Sequence, residues 1–222
     1  MIKRVRKFVI WLMIFFFGST VLSVVVFRYV PVFVTPLMVI RALSPEGTER
    51  QMERERHWHH HWVSGDDISP WMSKAVVASE DANFYSHSGF DFKEIRKAID
   101  ENRNGKRQRG ASTISQQTAK NVFLWPGHSW LRKGLEAYFT VLIELFWSKD
   151  RIMEVYLNSI EMGAGIYGVE AAARYYFNTS ASKLSKRQSI LIAVSLPAPL
   201  RFDPANPSKY IQRRVRTISK YI

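Results

Sequence analysis

The sequence has no cysteine and is short of acidic residues, and each shortage restricts the kind of protein it can encode. Without disulfides, the folded part of the chain must be held together by its hydrophobic core alone. Against 19 Asp and Glu stand 32 Lys and Arg, so the formal net charge is +13 at pH 7. Such a chain suits an anionic partner, which can be a lipid headgroup, a phosphate-bearing substrate or nucleic acid.

Several motifs of other enzyme classes are also missing. No Asp-x-Asp occurs, which counts against a nucleotide-sugar donor held through a metal ion, and no HExxH zinc motif occurs. The sequence 180–183 matches SxxK, but the KTG and SDN motifs of penicillin-binding serine enzymes do not accompany it. The sequence 163–168 matches GxGxxG, but a predicted helix precedes it, whereas a dinucleotide site requires a strand there. We therefore reject both matches.

Charge is missing altogether from Phe8 to Phe27. Twenty helical residues at about 1.5 Å each cross a hydrocarbon layer of ~30 Å, so residues 8–27 are predicted to form a transmembrane anchor. A cleaved signal peptide is the alternative, but its apolar region is usually shorter and ends at small residues. Four cationic residues precede the run, so the positive-inside rule places residues 1–7 in the cytoplasm and the rest of the chain outside. Nucleic acid is not an expected partner of an exported domain.

Residues 28–65 are predicted to connect the anchor with the domain. Their first part, 31–40, is apolar but broken twice by proline, so we expect it to lie on the bilayer or pack on the domain without spanning the membrane. His57 and His61 would share one face of a helix at a zinc-compatible spacing, but no third ligand accompanies them. We therefore predict no metal site, and an amphipathic, tryptophan-bearing helix at the membrane interface.

Residues 66–222 are sufficient for one domain, and their apolar periodicity predicts a mainly α fold with few strands. One helix is expected to begin at Ser69-Pro70, with serine as the N-cap, and to end at Glu80. The polar, cationic and glycine-bearing stretch 101–110 is predicted to be a mobile loop. Further helices are predicted at 92–100, 112–121, 131–147, 149–160, 167–177 and 184–195.

Glu80 is the first candidate for chemistry. Because it is expected at a helix C-terminus, where the backbone carries partial negative charge, its pKa should be raised. A carboxylate with a raised pKa suits general-base catalysis. The alternative is an ordinary solvated pair of Glu80 and Asp81 at the end of a helix.

A second candidate is the polar stretch that follows Gly110. In a helix, Ser112, Gln116 and Lys120 would line one face, with further hydroxyl and amide groups beside them. Neutral hydrogen-bonding groups around one ammonium suit sugar hydroxyls and a pyrophosphate. Gly110 would let the loop approach the start of the helix, where unpaired N–H groups favour anions. The alternative is a solvated polar helix face.

A third candidate is Glu136, which falls in a strongly apolar helix. Arg132 lies four residues before it, so an exposed i, i+4 ion pair is the ordinary explanation. A carboxylate among so many apolar residues is costly to bury, however, and this favours a functional role. We expect Glu80 and Glu136 to face a single groove, with Lys120 between them.

In order and spacing, these motifs resemble those of the peptidoglycan glycosyltransferases (transglycosylases, glycosyltransferase family 51), and most closely the monofunctional, membrane-anchored branch. The resemblance covers about residues 67–207 and includes five ordered blocks. The matching residues are Glu80, Asp81, Phe84, His87, Gly89 and Asp91; Gly110, Ser112, Thr113, Gln116, Gln117, Lys120 and Asn121; Arg132, Lys133 and Glu136; Lys149, Ile152, Glu154, Tyr156, Leu157, Asn158, Gly163, Gly165 and Gly168; and the segment 184–204. Ser115 and Gln188 depart from the usual residues, and His128 stands where a basic residue would help to hold phosphate.

The resemblance implies a lysozyme-like glycosyltransferase domain with a smaller membrane-facing subdomain. Members of the family polymerise lipid II into β-1,4 glycan strands with inversion and release undecaprenyl pyrophosphate. By this resemblance Glu80 is the general base, and Glu136 orders the cations around the leaving group. Lys120 and Arg132, with Lys133 beside them, are expected to hold the pyrophosphate. The residues expected to bind the donor are Ser112, Thr113, Gln116, Gln117 and Asn121.

The resemblance requires no cofactor and leaves open a divalent cation at the pyrophosphate. The expected partners are lipid II, the nascent glycan strand, the membrane and other proteins of cell-wall synthesis or division. The expected location is the bacterial cytoplasmic (inner) membrane, with a single pass, a cytoplasmic N-terminus and an extracytoplasmic catalytic domain. A chain that ends at residue 222 is expected to lack a transpeptidase domain. Two alternatives remain: a lysozyme-like lytic enzyme that uses Glu80 as an acid, and a non-catalytic membrane scaffold for cell-wall assembly.

Overall fold

A computed structural model describes residues 2–45, 47–103, 110–127 and 129–222. The loop predicted at 101–110 is wrong at its start, because a helix continues to Arg103. Residues 104–109 of that loop, and the predicted phosphate-binding His128, lie outside the described residues. The mainly α class is confirmed. The helices are α1 Ile2–Tyr29, α2 Pro36–Leu43, α3 Glu49–Arg56, α4 Pro70–Glu80, α5 Phe92–Arg103, α6 Ile114–Phe123, α7 Trp130–Phe146, α8 Lys149–Ser159, α9 Val169–Phe177, α10 Lys186–Ser195 and α11 Lys209–Ile218, and the strands are β1 His59–His60, β2 Glu161–Gly163 and β3 Ile166–Tyr167.

The core of the domain is built from two sets of packed helices. In one set α4 packs on α10, which also contacts α11, and in the other α6 packs against both α7 and α8. Ile114 on α6, Ile143 on α7 and Ile152 on α8 are fully buried where these helices meet. Because α6 buries its apolar side in this way, its remaining polar residues are held in fixed positions at the edge of the core.

The first helix, α1, is 28 residues long and contains the anchor predicted at residues 8–27. Among the described residues it is the one helix long and apolar enough to cross a membrane. Its last part does not stand free of the domain. The Trp147 indole donates to the Val24 carbonyl at 2.8 Å, and the Tyr138 hydroxyl hydrogen-bonds the Thr20 hydroxyl at 2.8 Å. The Arg151 guanidinium donates to the Phe27 carbonyl at 2.8 Å, so α1 is attached along its C-terminal third.

The segment after the anchor packs on the domain, which confirms one of the two expectations for residues 31–40. The Thr35 hydroxyl accepts a hydrogen bond from the Met38 amide and so caps α2, whose proline occupies the first turn. Met38 is fully buried, and α2 contacts both α3 and α6. The connection is therefore part of the folded molecule.

The helix expected through the His/Trp stretch is wrong. The helix α3 ends at Arg56, and His59–His60 form β1, so His57 and His61 do not share a helix face. The reason is non-local pairing, because β1 runs parallel to β3, which lies more than a hundred residues further along the chain. These strands and β2 form a small sheet in the order β1-β3-β2, which sequence patterning did not reveal.

The tight turn of the hairpin β2–β3 explains why glycine is needed within the GxGxxG match. Gly165 has a φ of +67°, and a Cβ there would collide with the carbonyl oxygen of Arg54 at the end of α3. The match therefore belongs to a hairpin that packs closely on another backbone, and not to a nucleotide-binding turn.

Candidate active site

Glu80 is the last residue of α4, as predicted. Its pKa is raised, chiefly because burial disfavours the charged form, while a hydrogen bond from Gln117 and the nearby charge of Arg214 oppose the shift. The direction agrees with the expectation from sequence, but burial and not the helix end is the main cause. The Gln117 side-chain amide donates to Glu80 Oε2 at 3.3 Å. Glu80 is thus a carboxylate poised to accept a proton, with one amide partner.

Asp81, the neighbour of Glu80, has a structural role. Its carboxylate accepts a hydrogen bond from the Ile114 amide at 3.0 Å, and His87 Nε2 lies 3.0 Å from the same oxygen. Asp81 therefore sits at the N-terminus of α6, where a negative charge is stabilised. His87 in turn accepts from the Gly89 amide at 3.1 Å. This chain of contacts fixes the start of α6 beside Glu80, so the alternative of a solvated Glu-Asp pair does not describe it.

The rest of the first motif shapes the turn between α4 and α5. Phe84 is fully buried, and the Asp91 carboxylate accepts from the Lys93 and Glu94 amides at the start of α5, each at 3.0 Å. Gly89 has a φ of +90°, and a Cβ there would lie 2.8 Å from Cγ2 of Thr140. A side chain at this position would therefore force the turn away from α7.

The polar face predicted for residues 112–121 is only partly present, because α6 begins at Ile114. Thr113 is the N-cap, and the Thr113 and Gln116 side chains form a capping box, so both are buried in this contact. Their assignment to donor binding stays a prediction. Ser112 precedes the helix and is exposed, with the Lys133 ammonium 3.5 Å from its hydroxyl. The prediction that Ser112 lies on the helix face is wrong.

The half-buried Gln117 and Lys120 and the buried Asn121 of α6 line a cavity of about 290 Å³ together with Arg132 of α7. A second cavity, of about 150 Å³, is lined by Glu80, Gly110, Ser112 and Thr113 among others. Gln117 joins the two, because it lines the first cavity and hydrogen-bonds Glu80 in the second. The expected single groove is therefore divided into an acidic part and a cationic part.

Glu136 forms no part of the lining of either cavity. Its carboxylate is buried and binds two cations, the Arg132 guanidinium at 2.8 Å and the Lys133 ammonium. Burial is the largest influence on the pKa of Lys120 and lowers it, while the charge of Glu136 raises it. Glu136 thus pairs with the two cations without itself lining the cavity. The structure differs here from the expectation that it faces Glu80 across the groove.

The fourth motif holds the segment before the domain in place. The Asn158 side chain accepts from the Val63 amide and donates to the Val63 carbonyl, each at 2.9 Å. The Glu154 carboxylate accepts from the Gly65 amide and pairs with Arg151. Tyr156 is fully buried, and its hydroxyl donates to the Gln117 amide oxygen at 3.3 Å, which orients the residue that joins the two cavities. Gly163 is the last residue of β2, and Gly168 directly follows β3.

Three residues near the site were not singled out from sequence. Arg41 of α2 and Glu161 of β2 line the larger cavity, with 3.9 Å between Arg41 Nε and Glu161 Oε1. Burial raises the pKa of Glu161 to about 7, against the nearby charge of Arg41. Arg214 of α11 donates to the Ser79 hydroxyl at 3.2 Å, next to Glu80. The signal in the sequence that could have pointed to Arg41 is its charge within the otherwise apolar stretch 31–43.

Metal ligands are not grouped in the part of the chain that the structure describes. No cluster of three or more His, Cys, Asp or Glu side chains suited to an ion occurs there. The divalent cation left open at the pyrophosphate stays a prediction.

The chain is similar to proteins of a single enzyme family. The family model described as Transglycosylase matches residues 47–222. A protein named biosynthetic peptidoglycan transglycosylase from Bacteroides thetaiotaomicron is 59% identical over 217 residues, which are 98% of this chain and 86% of the relative. Proteins of the same name from Caulobacter vibrioides and Pseudomonas putida are 50% and 46% identical, over 98% and 99% of this chain and 91% and 90% of their own lengths.

Proposed function

The chain belongs to the transglycosylase family, and we propose that it polymerises lipid II into β-1,4 glycan strands. The observation that carries this proposal is the arrangement around Gln117. A buried carboxylate with a raised pKa lies on one side of it, and a cavity lined by Lys120 and Arg132 lies on the other. An inverting displacement needs one base and a stabilised leaving group, and needs no protein nucleophile.

In the proposed reaction, Glu80 takes the proton from the 4-hydroxyl of the acceptor sugar while that oxygen attacks the anomeric carbon of the donor. The bond from the anomeric carbon to the pyrophosphate oxygen breaks, and undecaprenyl pyrophosphate leaves with the bonding electron pair. Lys120 and Arg132 stabilise the charge that develops on it. Glu136 keeps Arg132 in position, because their side chains pair at 2.8 Å within the protein. Gln117 and Asn121 are suited to hold sugar hydroxyls between the two parts.

The proposed location is the bacterial cytoplasmic membrane, with the N-terminus in the cytoplasm and the domain outside. The support is the cluster of cationic residues before the apolar part of α1, together with the positive-inside rule. A substrate whose lipid is confined to the bilayer must be met there. Lipid II and the glycan strand are the proposed ligands, and the association with other proteins of the cell wall stays a prediction.

The variant Glu80→Gln tests the proposed function. It keeps the shape and the hydrogen bond to Gln117 but cannot accept a proton, so polymerisation should fall by about 10²–10⁴-fold. The matched control is Glu53→Gln on α3, where the carboxylate is exposed. Lipid II in vesicles is the substrate, and glycan length is read by gel electrophoresis. Polymer made by Glu80→Gln at the rate of the wild type would favour the scaffold alternative.

The lytic alternative is tested with the same wild-type protein. Release of soluble fragments from finished sacculi, without polymer from lipid II, would show a hydrolase and overturn the proposal.

We further propose that this chain does not crosslink peptides. The SxxK match lies in a 3₁₀ turn, Ala181–Lys183, where the Ser180 hydroxyl is 3.0 Å from the Ser182 hydroxyl. A serine nucleophile would need a base as its partner. Incubation with a labelled penicillin should therefore give no covalent adduct, and a labelled band would contradict this.

A further inference from the structure

The larger cavity has a wall that the family motifs do not supply. Leu37 and Arg41 are one helical turn apart on α2, in the segment between anchor and domain, and both line the cavity. The motif blocks begin only after residue 66. The proposed reaction gives neither residue a role, although both lie in the cavity that contains Lys120 and Arg132.

We propose that Arg41 is a third cationic ligand for the diphosphate of the lipid-linked substrate, supplied by the segment that leads from the membrane anchor. The inference rests on the proposed function and names a further binding residue for it. The cations would then come from three elements, α2, α6 and α7, and would surround the diphosphate on several sides.

The position of Arg41 is fixed by the packing of its helix. The Thr35 hydroxyl caps the start of α2, and Met38, on the turn before Arg41, is fully buried. The Arg41 side chain retains 19% of its exposure and opens to the cavity, while Glu161 lies 3.9 Å from its Nε. A guanidinium has five donors in a planar fork, so it can contact a carboxylate and a phosphate oxygen at once.

The charges around the cavity favour an additional cation. Arg132 shares its charge with Glu136, and Glu161 adds a carboxyl group to the wall. Burial disfavours the anionic form of Glu161, so this wall repels an anion less than an ordinary carboxylate would. A diphosphate carries at least two negative charges, and bidentate contacts from arginine are among the strongest that a protein offers it.

The competing explanation is that Arg41 only neutralises Glu161. Two variants separate the explanations, Arg41→Gln and the double variant Arg41→Gln/Glu161→Gln. If Arg41 only balanced the carboxylate, removing both groups would restore function. If Arg41 binds the diphosphate, the double variant stays defective. Arg56→Gln, which removes an exposed cation from the neighbouring α3, controls for the loss of one positive charge near the membrane.

The experiment uses the full chain in vesicles and has two readouts. The first is the KM for lipid II, which should rise about tenfold in Arg41→Gln, because one charge-assisted contact is lost. The second is direct binding, measured by calorimetry, of a short prenyl diphosphate and of the prenyl alcohol of equal length. The diphosphate should bind the variant about tenfold more weakly than it binds the wild type, and the affinity for the alcohol should not change.

Diphosphate binding by Arg41→Gln equal to that of Arg56→Gln would overturn the inference, and so would restoration in the double variant. A wild type that binds the diphosphate through Arg41 but makes no glycan would instead contradict the proposed function. The two failures are therefore distinguishable.

Discussion

The pKa of the candidate base, Glu80, depends on its burial and on its hydrogen bond with Gln117. Burial raises the pKa of Glu80 above the usual 4.5, and the hydrogen bond from Gln117 lowers it. Because the reaction needs the ionised form, kcat/KM should fall as pH drops through this raised pKa.

Gln117→Ala removes the hydrogen bond that stabilises the anion, so the acidic limb of the kcat/KM profile should move to higher pH. The measurement is the rate of lipid II polymerisation between pH 4.5 and 8. A limb that stays in place, even with a lower maximum rate, would show that Gln117 does not tune Glu80.

Glu161 should make the stability of the fold depend on pH. Its pKa is about 7 in the folded protein, against 4.5 for an ordinary glutamate in water. Between these values the folded state binds more protons than the unfolded state, so stability decreases as pH rises from 4.5 to 7. At about 1.4 kcal/mol per pKa unit, the loss amounts to roughly 2–3 kcal/mol.

Glu161→Gln removes this titration. Its melting temperature relative to the wild type should therefore increase from pH 5 to pH 8, in thermal unfolding of the full chain in detergent. A difference between the two proteins that is constant over this range would contradict the assignment.

At the level of elements, local capping decides where α6 begins. Thr113 accepts from the Gln116 amide and also donates to the Gly89 carbonyl at 2.6 Å. Thr113→Val loses both contacts, and N-cap losses cost about 1–2 kcal/mol, so the melting temperature should fall by several degrees. Thr118→Val is the matched control, because its hydroxyl bonds the Ile114 carbonyl within the same helix. Equal losses in the two variants would show that the cap is unimportant.

Features that depend on interactions between neighbouring residues could be predicted from the sequence, whereas features that depend on contacts between distant residues could not. The end of α4 at Glu80 and the start of α8 at Lys149 depend on neighbouring residues, and both are confirmed. The predicted start of α4 is only partly confirmed. Pro70 is the first residue of the helix, but the Ser69 hydroxyl donates to the Leu184 carbonyl instead of capping the helix. That partner is distant in sequence and carries no local signature.

The dependence on distant contacts also limited what the sequence could predict about the candidate site. Spacing could bring Arg132 and Glu136 together, since residues four apart share a helix face. It could not show that Glu136 points behind the cations, because this depends on side-chain packing. It also could not place Arg41 of α2 against Glu161 of β2, which requires the path of the whole chain.

At the scale of the whole molecule, anchor and domain are joined by more than a peptide link. Arg151 of α8 donates to the Phe27 and Val30 carbonyls at the end of α1, where a cation is favoured and the last carbonyls lack helical partners. Arg151→Gln should keep the protein in the membrane but increase cleavage of residues 30–35 by added protease. Polymerisation in vesicles should fall with it.

Arg187→Gln is the matched control for this change, since Arg187 is exposed on α10. Cleavage equal to that of the control would show that the guanidinium does not hold the anchor.

A rigid helical connection between anchor and domain restricts the motion of the domain more than a flexible linker would. The 28 residues of α1 measure about 42 Å, roughly 12 Å more than the hydrocarbon layer is thick. The attachments at Thr20, Val24 and Phe27 are spread over two helical turns, so the domain cannot swivel about a single point. With α1 in the bilayer, as proposed, the reacting centre is kept at one depth and in one orientation relative to the membrane, and a lengthening product would have to leave in a constant direction.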